Sequence, residues 1–322
     1  MTFAGSPDRI EARLVPESGY AFDAFTISGL PRQAGPALAR ALWRAALAPG
    51  ACSQILARRR PDVVLGGGGY VAGPMVLAAA LRRIPTALME ADARLGLANR
   101  LAAPFARRVF LAFPVEGRSG GKYRVTGRPI PARSRPVPRD DARRLFELPL
   151  EGPVLLVFGG SQGAESLNEL AVESIGRGGP AVLHLSGERD YERLRGRVSR
   201  PDYRLLPYTD HFGAALAACD LVLARAGGSV WELAAAGRPA VLVPYPHATA
   251  DHQAKNAGHF AEAGGALVVP ETELSRVPEL LGSLLGDEPR LAAMGDAMLR
   301  AARPHAAEEI AEEVVALASA RR

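Results

Sequence analysis

Short, uninterrupted apolar runs alternate with longer stretches of helical spacing along most of the chain. Residues 61–65 (PDVVL) predict a strand, 66–69 a glycine turn and 71–81 a helix. A second strand is predicted at 84–89, a helix at 96–106 and a third strand at 109–112. The pattern restarts at 154–158 (VLLVF), with a glycine-rich turn to residue 163 and a helix from Ala164. Further strands are expected at 181–186, 203–206, 221–224, 240–244 and 266–269, a helix at 230–236, and helical structure over 273–300 and 305–320. Residues 1–4 also read as a strand. Between the two series, residues 117–139 are rich in Pro, Gly and Arg, lack periodicity, and read as a linker. Strands apolar on both faces and separated by helices mark parallel sheets covered on both sides. The expectation is an α/β chain of two Rossmann-like domains facing a cleft, with ligands at the carboxyl ends of the strands. Its divisions are 1–132, 133–302 and a C-terminal helical segment, 303–322, that packs back on the first domain.

Length and composition narrow this only a little. A chain of 322 residues suits two domains with full cores, and 48% hydrophobic with 23% charged residues excludes a disordered chain. No apolar run approaches the ~18–20 residues that span a bilayer. The opening MTFAGSPDRIEARL has an acidic residue and no apolar core, unlike a signal peptide. Cys52 and Cys219 form no CxxC pair, which suits a reducing compartment. The formal charge is +5, and only two of the 39 cationic residues, Lys122 and Lys255, are lysines. Arginine bias reflects either base composition or an anionic partner such as phosphate or a lipid headgroup.

Four segments carry candidate chemistry. GGGGYVAGP (66–74) follows a strand and opens a helix, so its amides and the helix dipole suit a phosphate, although a bare tight turn has the same look. GGSQGA (159–164) repeats that logic, with Ser161 as an added donor, and is neither a Walker A loop nor GxGxxG. DLVLARAGGSVWE (220–232) brings Arg225, Gly227 and Gly228 to a helix start. Glu232, one turn in, suits either a ribose or simply the helix dipole. PYPHATADHQAKN (244–256) offers Asp251, His252, Gln253 and Asn256 to a sugar. His247 and His252 are five residues apart across a loop, which is poor spacing for zinc, and no metal or cofactor is expected.

In order and spacing these segments resemble the MurG family, the GT-B glycosyltransferases of peptidoglycan synthesis. The resemblance implies an inverting transfer of N-acetylglucosamine from UDP-N-acetylglucosamine to lipid I, the undecaprenyl-pyrophosphoryl-muramoyl-pentapeptide, giving lipid II. It implies a donor site in the second domain. Ser161 and Gln162 would lie on the diphosphate, with Gly163 and Asn168 supporting their loop. Arg225, Gly227 and Gly228 would face the diphosphate and sugar, and Glu232 the ribose. Tyr208 and Thr209 would frame the uracil, and Gln253 and Asn256 would reach the sugar hydroxyls. On the acceptor side Gly67, Gly68, Gly69 and Tyr70 would cradle the lipid pyrophosphate, with Glu90 and Asn99 at polar positions nearby. The implied location is the cytoplasmic face of the cell membrane, peripherally bound, with cell-wall synthesis proteins as further partners and no nucleic acid.

The sequence departs from the family pattern in four places. No counterpart of the opening GGTxGH loop is present, which predicts a first-domain sheet short of a central strand and poor transfer by the chain as numbered. The HEQN-type stretch reads MEAD (89–92), the RAGG segment is one residue short, and the usual GNP reads GRP (127–129). The general base is then Glu90 or Asp92, or is missing. Two rival readings stand beside this one: another GT-B UDP-sugar transferase or epimerase, and a nucleotide-sugar-binding chain without turnover. Leu38, Leu42, Trp43 and Leu47 recur at helical spacing beside Arg40 and Arg44. That stripe suits an anionic membrane surface, or the domain's own core.

Overall fold

The structure, a computed structural model, describes residues 1–27, 35–160, 163–248 and 251–320, without the side chains of 37–42 and 44–46. It divides into two compact units, one of residues 1–126 with 308–322 and one of residues 127–307.

In the first unit, β1 (Thr2–Gly5), α1 (Glu11–Glu17) and β2 (Ala21–Ala24) precede the long α2 (Pro36–Arg59). Then come β3 (Val64–Gly66), α3 (Gly69–Leu81), β4 (Thr86–Glu90), α4 (Leu97–Ala102), β5 (Arg108–Leu111) and β6 (Tyr123–Val125). All pairing is parallel, but it falls into two sheets, β1–β2 and β3–β4–β5–β6. Both sheets share one core, in which Phe25 and Ile27 pack with Ala48, Cys52 and Leu56 of α2 and with Ile84. β6 lies inside the stretch expected to be linker. It has the composition of a loop because it is a three-residue edge strand with two exposed residues.

The second unit holds α5 (Arg139–Leu145), β7 (Val154–Phe158), α6 (Glu165–Ile175), β8 (Ala181–Leu185), α7 (Glu188–Leu194), β9 (Tyr203–Leu206) and α8 (Phe212–Ala218). β10 (Leu221–Ala224), α9 (Val230–Ala235), β11 (Ala240–Leu242), α10 (His252–Glu262) and β12 (Ala266–Val268) follow, then α11 (Val277–Leu285) and α12 (Glu288–Ala301). The helix expected over 273–300 is broken at Gly286, where Asp287 caps α12 by accepting from the Arg290 amide at 3.0 Å. α13 (Ala306–Ser319) gives its later turns to the first unit, where Ile310 packs on Ala87 and Phe110, and Glu313 pairs with Arg108 at 2.9 Å.

The unit boundaries fall at 126/127 and 307/308, against the expected 132/133 and 302/303. Residues 127–132 go with the second unit because Gly127 sits against Trp231 and Arg303.

The second sheet is parallel throughout, in the order β12–β11–β10–β7–β8–β9. Every residue of β7, β8, β10 and β11 is buried. Each large aliphatic side chain so covered contributes about 1.5–3 kcal/mol. From β7 the chain runs one way to β9, and from β10 the other way to β12, so the direction switches between β7 and β10. At their amino ends, buried Arg143 donates to the carbonyls of Ala218, Leu150 and Gly152 and to Asp220, whose carboxylate also accepts from the Val154 amide at 2.8 Å.

Asp23 on β2 is buried and accepts from Arg59 Nε at 2.8 Å and Arg58 Nη2 at 2.6 Å. The Arg59 bond, against the cost of burial and with help from Arg58, holds the Asp23 carboxyl below its usual range. A folded-state value below the unfolded one contributes stability above about pH 4 that is lost as the pH falls through the folded value. Asp23→Asn should therefore lower the unfolding free energy at pH 7 by roughly 1–3 kcal/mol. Denaturant titrations should show the difference from wild type closing below about pH 4. An equal difference at pH 7 and pH 3 would contradict the pairing.

Candidate active site

Loops at the carboxyl ends of β7 and β10, neighbours at the switch point, bring two of the motifs side by side. Ser161 and Gln162 lie outside the described residues; the rest of their loop is ordered around Gly163. Its φ is +73°, and a Cβ there would lie 2.2 Å from the Ser186 carbonyl oxygen at the end of β8, so only glycine fits.

That carbonyl is held from below. Asn168, fully buried on α6, donates through Nδ2 to Ser186 O and to Asp190 Oδ2, each at 2.9 Å. Its Oδ1 faces His184 Nε2 at 2.9 Å, so that nitrogen carries the proton. His184 Nδ1 then accepts from the Tyr203 hydroxyl at 2.9 Å. Burial pushes the His184 pKa down to about 3, which keeps the ring neutral and the whole chain of bonds unidirectional. Asn168 thus supports the loop from beneath and has no group left for a ligand.

Behind β10, the Arg225 side chain is buried. Nη1 donates to the carbonyls of Val243 (3.2 Å) and Pro244 (3.3 Å) and to Glu271, and Nη2 to Ser166 Oγ at 2.9 Å. Burial raises the Glu271 pKa, but the Arg225 and Ser166 hydrogen bonds outweigh it and hold the carboxyl below its usual range. Expected to face a diphosphate, Arg225 instead ties β10, α6 and the loop after β11 together. Glu271 and Ser166 carried no motif signal in the sequence; Tyr245, of the 244–256 segment, lies with its ring 5.5 Å under the guanidinium.

Gly227 and Gly228 lead into α9, where Glu232 is partly exposed and accepts from Ser134 Oγ. Gln253 Oε1 accepts from the Tyr245 amide at 2.9 Å and fixes the PYPH turn. Asn256, expected at a sugar, is fully buried on α10 and donates to the Ala226 carbonyl at 3.2 Å. That puts it under the RAGG turn, out of a ligand's reach. Tyr208 is exposed after β9, and Thr209 Oγ1 accepts from the His211 amide at 3.1 Å.

In the first unit, Gly67–Gly69 (residues 67–69) join β3 to α3. Tyr70 accepts at its hydroxyl from Arg9 Nε at 2.9 Å. Glu90 ends β4 with 8% of its surface exposed. Its carboxylate accepts from the amides of Gly96 (2.8 Å) and Asp92 (3.3 Å) and from Asn99 Nδ2 (2.9 Å). A carboxylate so occupied organises the 91–96 turn and is poorly placed to take a proton from an alcohol. Of the two expected bases, Asp92 keeps partial exposure. Asn99 also donates to Met89 O at 2.9 Å, while its buried Oδ1 has no partner among the described residues.

The "Glycosyltransferase family 28 C-terminal domain" matches residues 154–312 and the "Glycosyltransferase family 28 N-terminal domain" residues 2–111. The chain belongs to glycosyltransferase family 28, with the MurG transferases. A relative from Salinibacter ruber is 40% identical over 329 residues, covering 99% of this chain and 88% of that protein. One from Rubrobacter xylanophilus is 40% identical over 326 residues, covering 98% and 95%. Both are named UDP-N-acetylglucosamine--N-acetylmuramyl-(pentapeptide) pyrophosphoryl-undecaprenol N-acetylglucosamine transferase. The crystal structure of Acinetobacter baumannii MurG aligns with a TM-score of 0.77 at 28% identity, covering 97% of this chain and 90% of that one. The expected GT-B fold of two Rossmann-like domains is the fold of this family-28 chain.

Glu90→Gln puts an amide where three N–H groups point. It should cost roughly 1–3 kcal/mol of stability, visible as a lowered melting temperature. A variant as stable as wild type but slow in turnover would instead make Glu90 the base.

Proposed function

We propose that this chain transfers N-acetylglucosamine from UDP-N-acetylglucosamine to the muramoyl-pentapeptide of lipid I. The observation that carries this is the 40% identity, over nearly the whole chain, to proteins named for that transfer. The geometry of the second unit suits it: backbone amides at Gly227 and Gly228, with a partly exposed carboxylate at Glu232, gather beside the Gly163 turn, where a parallel sheet binds nucleotides.

In this reading Glu232 accepts the ribose hydroxyls, Tyr208 and Thr209 border the uracil, and Gln253 meets the sugar. Asn168 and Asn256 hold the loops from below. The acceptor hydroxyl attacks the anomeric carbon as the bond to the UDP oxygen breaks, and the configuration inverts. The electron pair leaves on the diphosphate, where preorganised amides stabilise it without rearranging. Asp92 takes the hydroxyl proton. The glycines at 67–69 and Tyr70 receive the lipid diphosphate. Asn99, whose Nδ2 lies beside Gly68 and whose buried Oδ1 has no partner among the described residues, borders this glycine turn.

A lipid substrate calls for a membrane-facing surface. Among the described residues no helix is long and apolar enough to cross a bilayer. Trp43 and Leu47 on α2 are exposed, whereas Ala48, Cys52 and Leu56 enter the core. Leu38, Leu42, Arg40 and Arg44 are among the side chains outside the description. A second row, unnoticed in the sequence, runs at four-residue spacing through Leu97, Leu101 and Phe105, each at least half exposed, with Arg100 and Arg107 exposed beside it. We read these rows as seated on the anionic, cytoplasmic face of the membrane.

Incubating the chain with UDP-N-acetylglucosamine and lipid I should yield lipid II, and Glu232→Ala should weaken UDP binding by roughly 1–3 kcal/mol in calorimetry with the fold intact. UDP binding with no lipid II formed would favour the reading of a binding chain without turnover. Sedimentation with anionic vesicles should be salt-sensitive and reduced by Trp43→Glu and by Leu101→Glu; equal binding to neutral vesicles would reject the electrostatic part.

A further inference from the structure

Arg128 lies in the stretch that reads as linker. The structure puts the end of its side chain on the loop between β10 and α9. A Cβ built on Gly228 would lie 1.6 Å from Arg128 Nη1, 2.3 Å from Cζ and 2.9 Å from Nη2. The bare backbone of Gly228 is therefore the seat of the guanidinium. The same segment continues along α9, since Gly127 packs on Trp231 and Ser134 donates to Glu232. Arg128 is half-buried, yet among the described residues its guanidinium has no carboxylate, carbonyl or aromatic ring as partner. Arg225, the cation that the motif supplies, is already committed to Glu271 and two carbonyls. A half-buried cation without a partner carries a desolvation cost that an anion offsets. The planar fork of guanidinium donors matches phosphate oxygens.

We infer that Arg128 binds a substrate diphosphate at the loop of Gly227 and Gly228, supplying the charge that Arg225, held by Glu271, does not. This rests on reading the second unit as a nucleotide-sugar site. The donor's diphosphate and the lipid's present the same oxygens, so the experiment must separate them.

The test is calorimetric titration of UDP into the full chain and its Arg128→Ala and Arg128→Lys variants, with steady-state turnover measured as donor and acceptor are varied. In Arg128→Ala, UDP affinity should fall roughly 10- to 100-fold, as for loss of a charge-assisted bond. Arg128→Lys should recover part of it. Uridine affinity, followed by ligand NMR, should not change, and the melting temperature should not fall, because no folded-state bond to the guanidinium is removed. Unchanged UDP affinity with an acceptor KM raised by a similar factor would assign the diphosphate to the lipid. If Arg128→Ala leaves UDP affinity and both KM values unchanged while Glu232→Ala weakens UDP, the role of Arg128 is overturned and the nucleotide site stands. Failure of the wild-type chain to bind UDP overturns both.

Discussion

A parallel strand covered on both faces has no side chain to offer to solvent. In the second unit every residue of β7, β8, β10 and β11 is buried, so these strands face no ligand along their length. What they offer is position. Parallel pairing brings all their carboxyl ends to one edge, and the reversal of direction between β7 and β10 leaves a crevice there. Gly163, Gly227, Gly228 and the turn after β11 meet at that edge for this reason.

Those loops rest on buried polar groups. Tyr203, His184, Asn168, Ser186 and Asp190 form one chain of hydrogen bonds in which each donor has a single available direction. Asn256 plays the same part under the neighbouring turn. A buried polar network is costly unless each member is satisfied, and a satisfied one is rigid. Rigidity matters where amides must already point at developing charge before the reaction begins. The Arg225–Glu271 pair is a third strut, which ties β10, α6 and the loop after β11 together.

The first unit shows the same economy in a smaller space. Glu90 closes the turn after β4 with three N–H donors, and Asn99 joins that turn to the end of the strand through Met89. Polar residues that look catalytic by position are here the frame of a loop. Beside them Asp92 keeps partial exposure, and the buried Asn99 oxygen has no partner among the described residues.

The apolar runs alone determined the fold class, because a strand buried on both faces must be largely apolar, and β9 and β10 fall at 203–206 and 221–224 as their sequences predict. The glycine motifs determined where the loops lie, since close approach to the Ser186 carbonyl excludes a side chain at Gly163. Short elements escaped: β2, β6, α7 and α8 are too brief to show a period. Which polar residues face a ligand and which hold a loop was beyond the sequence as well. Asn256, Arg225 and Glu90 have the residue types of a binding site, and Arg128 that of a linker. Only tertiary structure decides between these roles, because a hydrogen-bonding group is spent or free according to its partners, and those partners come from strands and turns far away along the chain.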